Sequence, residues 1–268
     1  MVNILIADDN IYYAKMLMNV INTDIDTNIK VTHLAVDGKE TLDILENNQI
    51  DVTLLDLKMP IYDGMYILDK LKQEQKDKYE QSIIVISGET EMLYKINSQP
   101  YVYCALNKVC SISKIIDTIK ELVEDKEQEK QTNNVKNNII KQLQYLNYNL
   151  SHKGTQYLID AILLIYNRGD YDIFNLKEDV YPIIAKRYNK SIHNIKCDIN
   201  KANDYMYRVC KKERIRKYFK FFDDSKSTVK NVIYTILNKV IKNSNAEEKK
   251  CEKILYNNFN HNYITNNF

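Results

Sequence analysis

Val52-Thr53-Leu54-Leu55-Asp56-Leu57-Lys58-Met59-Pro60-Ile61-Tyr62-Asp63-Gly64 starts as an apolar run and changes character at an acid. A short apolar run bounded by turn residues reads as a buried strand, and Asp56 stands at its carboxyl end. Asn3-Ile4-Leu5-Ile6-Ala7 leads into Asp8 and Asp9 in the same way. In an open α/β sheet the carboxyl ends of neighbouring strands face one crevice, where ligands bind. Asp8, Asp9 and Asp56 are therefore expected to meet at one edge. Like charges a few ångströms apart raise one another's pKa, so such a cluster asks for a hard divalent cation. Mg²⁺ suits a site that also takes a phosphoryl group, with Ca²⁺ as its substitute. Taken singly, each acid would equally suit a helix N-cap after a strand.

The surroundings extend that reading. Apolar runs near 3–7, 29–34, 51–55, 82–87 and 101–106 alternate with amphipathic stretches near 10–22, 38–48, 65–75, 89–97 and 111–125. In the last stretch Ile112, Ile115, Ile116, Ile119, Leu122 and Val123 recur at helical spacing. Five strand–helix units imply a doubly wound, five-stranded parallel sheet with right-handed crossovers. Residues 126–140 are polar and read as a solvated linker or as an extension of the last helix. From 141 to 243 the pattern is helical throughout, so an all-α domain follows the α/β domain of residues 1–125. Residues 244–268 are Asn-rich and read as a frayed tail, with at most a short helix around 247–256.

The chain has 268 residues and a net charge of +2, which hides a division. Residues 1–125 carry −9, whereas residues 140–243 carry +10. A basic module beside an acidic one points to a polyanion as partner of the first, or else to two solvated surfaces of unlike sign. Five cysteines without a CxxC pair suit reduced thiols in a cytoplasm. The chain begins in a strand, without the charged and apolar regions of a signal peptide. No apolar run approaches the roughly 20 residues that span a bilayer, so no membrane partner is expected.

Asp8-Asp9, Asp56-Met59-Pro60-Asp63-Gly64, Ser87 and Lys108 together resemble the receiver domain of two-component response regulators. The successive intervals Asp9 to Asp56, Asp56 to Ser87 and Ser87 to Lys108 are 47, 31 and 21 residues, as strand–helix units require. The resemblance implies that Asp56 accepts a phosphoryl group from a phosphohistidine donor, a histidine kinase or a phosphotransferase. It implies Asp8, Asp9, Asp56 and the Lys58 backbone carbonyl as the cation's ligands, and Ser87 and Lys108 as partners of the phosphate. No enzymatic turnover is expected of such a chain. Three features depart from the pattern: Val109 replaces the proline after the lysine, Ala105 replaces an aromatic switch residue, and Ser98-Gln99-Pro100 replaces the small glycine-alanine step before the fifth strand. Strand alternation puts Tyr103 on the same face as Ala105, where it is available as a substitute.

Lys153-Gly154-Thr155-Gln156-Tyr157-Leu158-Ile159-Asp160-Ala161-Ile162, Ile165-Tyr166-Asn167 and Leu176 to Asn189 resemble the helical DNA-binding domain of the stage 0 sporulation protein A family. This implies a helix-turn-helix with a supporting helix near 181–188 and a recognition helix over 191–208. Lys186, Arg187 and Lys190 are then placed for DNA phosphates. His193, Asn194, Lys196, Asn200 and Lys201 are placed on the reading helix. Cys197 and Asn200 stand where the family carries arginines suited to guanine. Asn200 retains the chemistry for adenine. The 211–222 cluster combines cations with aromatics, as a phosphate clamp or as core with a wet face.

The expected function is a phosphorylation-controlled, DNA-binding transcription regulator that dimerises when phosphorylated. The competing expectation is a paralogue acting by protein contact, as a phosphate sink or mixed-dimer inhibitor. A third is a DNA-binding protein indifferent to phosphorylation.

Overall fold

The computed structural model describes residues 1–24, 28–74, 82–88, 93, 96, 99–169, 171, 174–219 and 226–243. The chain divides into two compact units, Met1–Gln128 and Glu129–Phe268. Among the described residues no helix is long and apolar enough to cross a membrane.

The first unit is a parallel sheet in the order β2-β1-β3-β4-β5. Its strands are β1 (Val2–Ala7), β2 (Ile29–Ala35), β3 (Val52–Leu55), β4 (Ile83–Ser87) and β5 (Val102–Asn107). Helices α1 (Ile11–Asp24), α2 (Gly38–Asn47), α3 (Gly64–Gln73) and α4 (Ile112–Tyr145) connect or follow them. All four residues of β3 and all five of β4 are buried, which is why these runs show no polar alternation. One core holds Leu5, Leu55, Ile67, Leu68 and Val85. The other holds Ile4, Ile6, Leu54, Ile84, Ile115 and Ile119. Alternate residues of β1 and β3 thus point into opposite cores, as the strand period of two demands.

Residues 126–140, read as a polar linker or an extension of the helix before it, are helical: α4 runs without interruption from Ile112 to Tyr145. Lys, Glu and Gln are good helix formers, and neither Gly nor Pro occurs in the stretch. The helix stops where Asn147 turns left-handed (φ 61°) and Tyr148 N–H donates to Leu143 O at 2.9 Å. That is the closing bond of a left-handed C-cap. Val135, Ile139 and Leu143 already belong to the second unit's core, so that core draws on residues before 141.

The second unit contains α5 (Lys153–Arg168), a π-helical turn (Leu176–Val180), α6 (Tyr181–Arg187), α7 (Ile192–Val209), α8 (Lys212–Tyr218) and α9 over 229–243. α5 is the central helix: Tyr157, Leu158, Ile159, Ala161, Ile162 and Ile165 are all buried. Gly154 lets it approach α7, because a Cβ there would overlap the Asp198 carbonyl. Pro182 sits in the first turn of α6, where its missing N–H costs nothing. Of the expected elements, the amphipathic stretch 89–97 is described only at Leu93 and Ile96, both buried. Residues 220–222 of the basic–aromatic cluster and the tail 244–268 lie outside the described residues.

Candidate functional site

Three strand ends build the acidic site. Asp8 follows β1; its N–H donates to Ala35 O at 3.0 Å, and its Oδ1 accepts from Asn10 N–H at 2.9 Å. Asp56 follows β3, with its N–H donating to Ala7 O at 2.8 Å. Lys108 follows β5, anchored by its N–H to Ser87 O at 3.0 Å. Its Nζ lies 2.7 Å from Asp56 Oδ2 and 2.7 Å from Asp8 Oδ2. One ammonium therefore bridges two buried carboxylates. Ser87 is buried at the end of β4, and Asp9 is exposed at the rim. Tyr13 of α1 stands beside the cluster, its ring centroid 5.4 Å from Lys108 Nζ.

Burial pushes the Asp8 carboxyl above its ordinary value of 3.8, against the lowering effect of Lys108 and the Asn10 N–H. Burial alone would lower the Lys108 ammonium, but its hydrogen bonds to Asp56 and Asp8 overrule this and raise it. Asp8, Asp9 and Asp56 each offer one oxygen, and these three lie within 4.8 Å of one another. Opposite ligands of an octahedral Mg²⁺ stand about 4.2 Å apart. An all-oxygen set of that span with one exposed member suits a small hard cation that retains water. Lys58 is exposed in the loop after β3.

The loop from Asp56 to Gly64 is fixed locally. Asp63 caps α3, with Oδ1 accepting Tyr66 N–H at 2.7 Å. A Cβ on Gly64 would come 2.5 Å from Asp56 O and 2.9 Å from Leu57 Cα. The glycine after Asp63 is thus required by the close pass of the backbone at Asp56 and Leu57.

In the second unit α6, a turn at Tyr188–Lys190 and α7 form a helix-turn-helix. Asn189 adopts φ 50°, and Ser191 Oγ accepts Asn194 N–H at 3.2 Å, capping α7. Ile195, Ile199, Ala202, Asn203 and Met206 are the buried face of α7. His193, Asn194, Lys196, Asn200 and Lys201 are exposed, with Cys197 half-buried among them. Lys186 and Lys190 are exposed at the turn. Arg187 is exposed there too, with Asp160 Oδ2 3.1 Å from its Nη1 and accepting the Tyr188 hydroxyl at 2.8 Å.

Residues 4–120 match the family of the response regulator receiver domain. Residues 139–240 match the sporulation initiation factor Spo0A C-terminal family. In domain content and order the chain matches a Spo0A-like response regulator. Among solved structures, it is 29% identical to the REC domain of AraT, a response regulator from Geobacillus stearothermophilus. That match covers 48% of this chain and 99% of that one, with a TM-score of 0.40. It is 26% identical to the receiver domain of the Francisella response regulator 1452, covering 47% and 99%, with a TM-score of 0.42.

Within this Spo0A-like receiver, the expectation that Tyr103 shares a face with Ala105 is wrong. Ile83 pairs with Val102 but Ile84 pairs with Cys104, so Tyr103 is the extra residue of a β-bulge. The alternation argument breaks at that point. Ala105 packs against one core and Tyr103 against the other. The Tyr103 hydroxyl donates to Asp125 Oδ2 at 2.7 Å, which with burial pushes its pKa up to about 12.

In the Spo0A-like effector, a basic recess beside α7 escaped sequence reasoning. A cavity of about 480 Å³ is lined by His152, Lys153, Lys201, Tyr205 and Arg208, among others. His152, the N-cap of α5, makes no side-chain cap bond, and its ring packs edge-on against Tyr205 at 4.9 Å. Lys153 and Arg208 are exposed beside α7 although 55 residues separate them in sequence. Only the tertiary approach of α5 to α7 unites them.

Proposed function

We propose that this Spo0A-like regulator is phosphorylated on Asp56 and reads DNA through α7. The observation that carries the first half is the Lys108 ammonium held 2.7 Å from both buried carboxylates, at the sheet edge that also presents Asp9 and Ser87. An Asp56 oxygen attacks the phosphorus of a phosphohistidine; the P–O bond forms, the P–N bond breaks, and the imidazole leaves after taking a proton. Asp9, Asp56 and Asp8 would hold the divalent cation, which spreads the charge of the phosphoryl group. Lys108 exchanges its bond to Asp56 for one to a phosphate oxygen while keeping Asp8. Ser87 donates its hydroxyl to another oxygen. The protein acts as a stoichiometric acceptor in this reading rather than as an enzyme.

On the effector, Lys186, Lys190, Lys153 and Arg208 would meet phosphates, which position the helix without specifying sequence. His193, Asn194 and Asn200 would face base edges. Without arginines at 197 and 200 the preference should move from guanine toward adenine, which Asn pairs with in the major groove. Phosphorylation would bring two receivers together and so two effectors onto adjacent half-sites.

Incubation of the wild type and Asp56→Asn with a phosphorylated histidine phosphotransferase and Mg²⁺ tests acceptance. Label transfer to the wild type alone supports the reading; equal labelling of both proteins defeats it. The bulged Tyr103 and the small Ala105 favour a second reading, regulation by protein contact without a phosphate-driven relay. Identical DNA affinity and identical oligomeric state before and after phosphorylation would choose that reading instead.

A further inference from the structure

His193 and Cys197 stand one turn apart on the exposed side of α7, with Cys197 Sγ 3.4 Å from His193 Nε2. We infer that this pair is a binding site for a thiophilic divalent cation of the Zn²⁺ type, placed on the DNA-reading face. The inference rests on the proposed reading of α7 only for its regulatory consequence.

The spacing carries the argument. Zn–S bonds of about 2.3 Å and Zn–N bonds of about 2.0–2.1 Å at a tetrahedral angle place sulfur and nitrogen about 3.6 Å apart. The observed distance needs a change of only a few tenths of an ångström. Thiolate and imidazole are the ligand types that select zinc over magnesium, so this site and the all-oxygen site of the receiver would not compete. Neither side chain has another hydrogen-bonding or charged partner among the described residues. The remaining tetrahedral positions would hold water.

The other described thiols are poorer ligands. Burial pushes Cys104 up to about 11 and raises Cys110 and Cys210. Binding at Cys197 forms a metal–sulfur bond and releases the thiol proton to solvent. An occupied site ties up His193 Nε2 and the Cys197 sulfur, which can then no longer meet base edges. The metal would therefore lower discrimination between sequences, whereas phosphate contacts by Lys186 and Lys190 persist.

The test uses reduced, full-length protein in excess Mg²⁺, titrated with Co²⁺ and read at the near-ultraviolet thiolate-to-cobalt charge-transfer band. Oxygen ligation at Asp8, Asp9 and Asp56 gives no such band. The expected result is a band that Cys197→Ser abolishes, that His193→Asn shifts to at least tenfold higher Co²⁺, and that Cys251→Ser leaves intact. No band, or a band that survives Cys197→Ser, overturns the site. Zn²⁺ should then lower the affinity ratio of a selected duplex over a random one by about tenfold in the wild type and not in Cys197→Ser. An unchanged ratio with a cobalt band present overturns the regulatory consequence alone. Absence of any selective DNA binding without metal would refute the reading of α7 while leaving the cation site standing.

Discussion

Replacing Gly154 with alanine tests how closely the central helix of the effector meets the reading helix. The new Cβ would overlap the backbone carbonyl of Asp198 and crowd Ile199 N, 3.0 Å away. Backbone atoms cannot rotate aside, so α5 and α7 must separate by roughly an ångström to reach ordinary contact. Overpacking of this kind costs about 1–3 kcal/mol, occasionally more. Alanine returns at most about 1 kcal/mol of helix propensity, and less in a first turn. The net loss should be about 1–2 kcal/mol. With a urea m-value of about 1–3 kcal/mol/M, the transition of the helical unit should move down by roughly 0.3–2 M. Urea titration followed by far-ultraviolet circular dichroism reads this directly. Gly169→Ala is the comparison: Gly169 ends α5 at φ 76° with open space around it, so only the left-handed penalty of about 1 kcal/mol applies. DNA affinity separates the two variants, because only Gly154→Ala displaces α7. A Gly154→Ala protein as stable as the wild type, with unchanged DNA affinity, would refute the close approach.

Lys108→Met should abolish stable phosphorylation of Asp56 while the protein stays folded; label transfer and circular dichroism on one sample distinguish loss of chemistry from loss of fold. A double variant Lys153→Gln, Arg208→Gln should weaken binding to all duplexes alike and reduce the salt slope by about 2, if both side chains meet phosphates. Fluorescence anisotropy across a salt series would show an unchanged slope if they do not. Tyr103 holds its proton more tightly in the folded state, with a pKa near 12 against 10.0 unfolded. Its contribution is whole below pH 10 and disappears as the pH rises from 10 toward 12. The urea midpoint of the wild type should therefore fall more steeply over that window than that of Tyr103→Phe, and parallel curves would count against the Asp125 bond.

Much of the acceptor site was legible because its geometry is nearly one-dimensional. An acid placed just past a buried parallel strand has to reach the carboxyl edge, so Asp8 and Asp56 could be brought together from their positions alone. Asp63-Gly64 was legible for another local reason: a cap residue and a glycine that the passing backbone requires. Tyr103 was misread because period-two alternation carries no sign of a bulge, which arises from pairing with β4. Residues 126–140 were legible as polar, but polarity alone does not separate a loose linker from an extension of the preceding helix; helix propensity decides for the helix. Arg187 was read as placed for phosphates; its partner Asp160 was not foreseen, because it lies one helix earlier and meets it only through packing. The same blindness hid the recess at Lys153 and Arg208.

The bulge in β5 has a consequence for solubility. β5 closes one side of the sheet, and an edge strand presents unpaired N–H and C=O groups to any other extended chain. The extra residue at Tyr103 breaks the regular ladder there, and the bond to Asp125 holds the bulged residue against α4. A straight edge would be a template for strand addition; a bulged and tethered one is a poor template. The bulge that takes Tyr103 off the face of Ala105 is thus also expected to make β5 a poor template for edge-to-edge pairing.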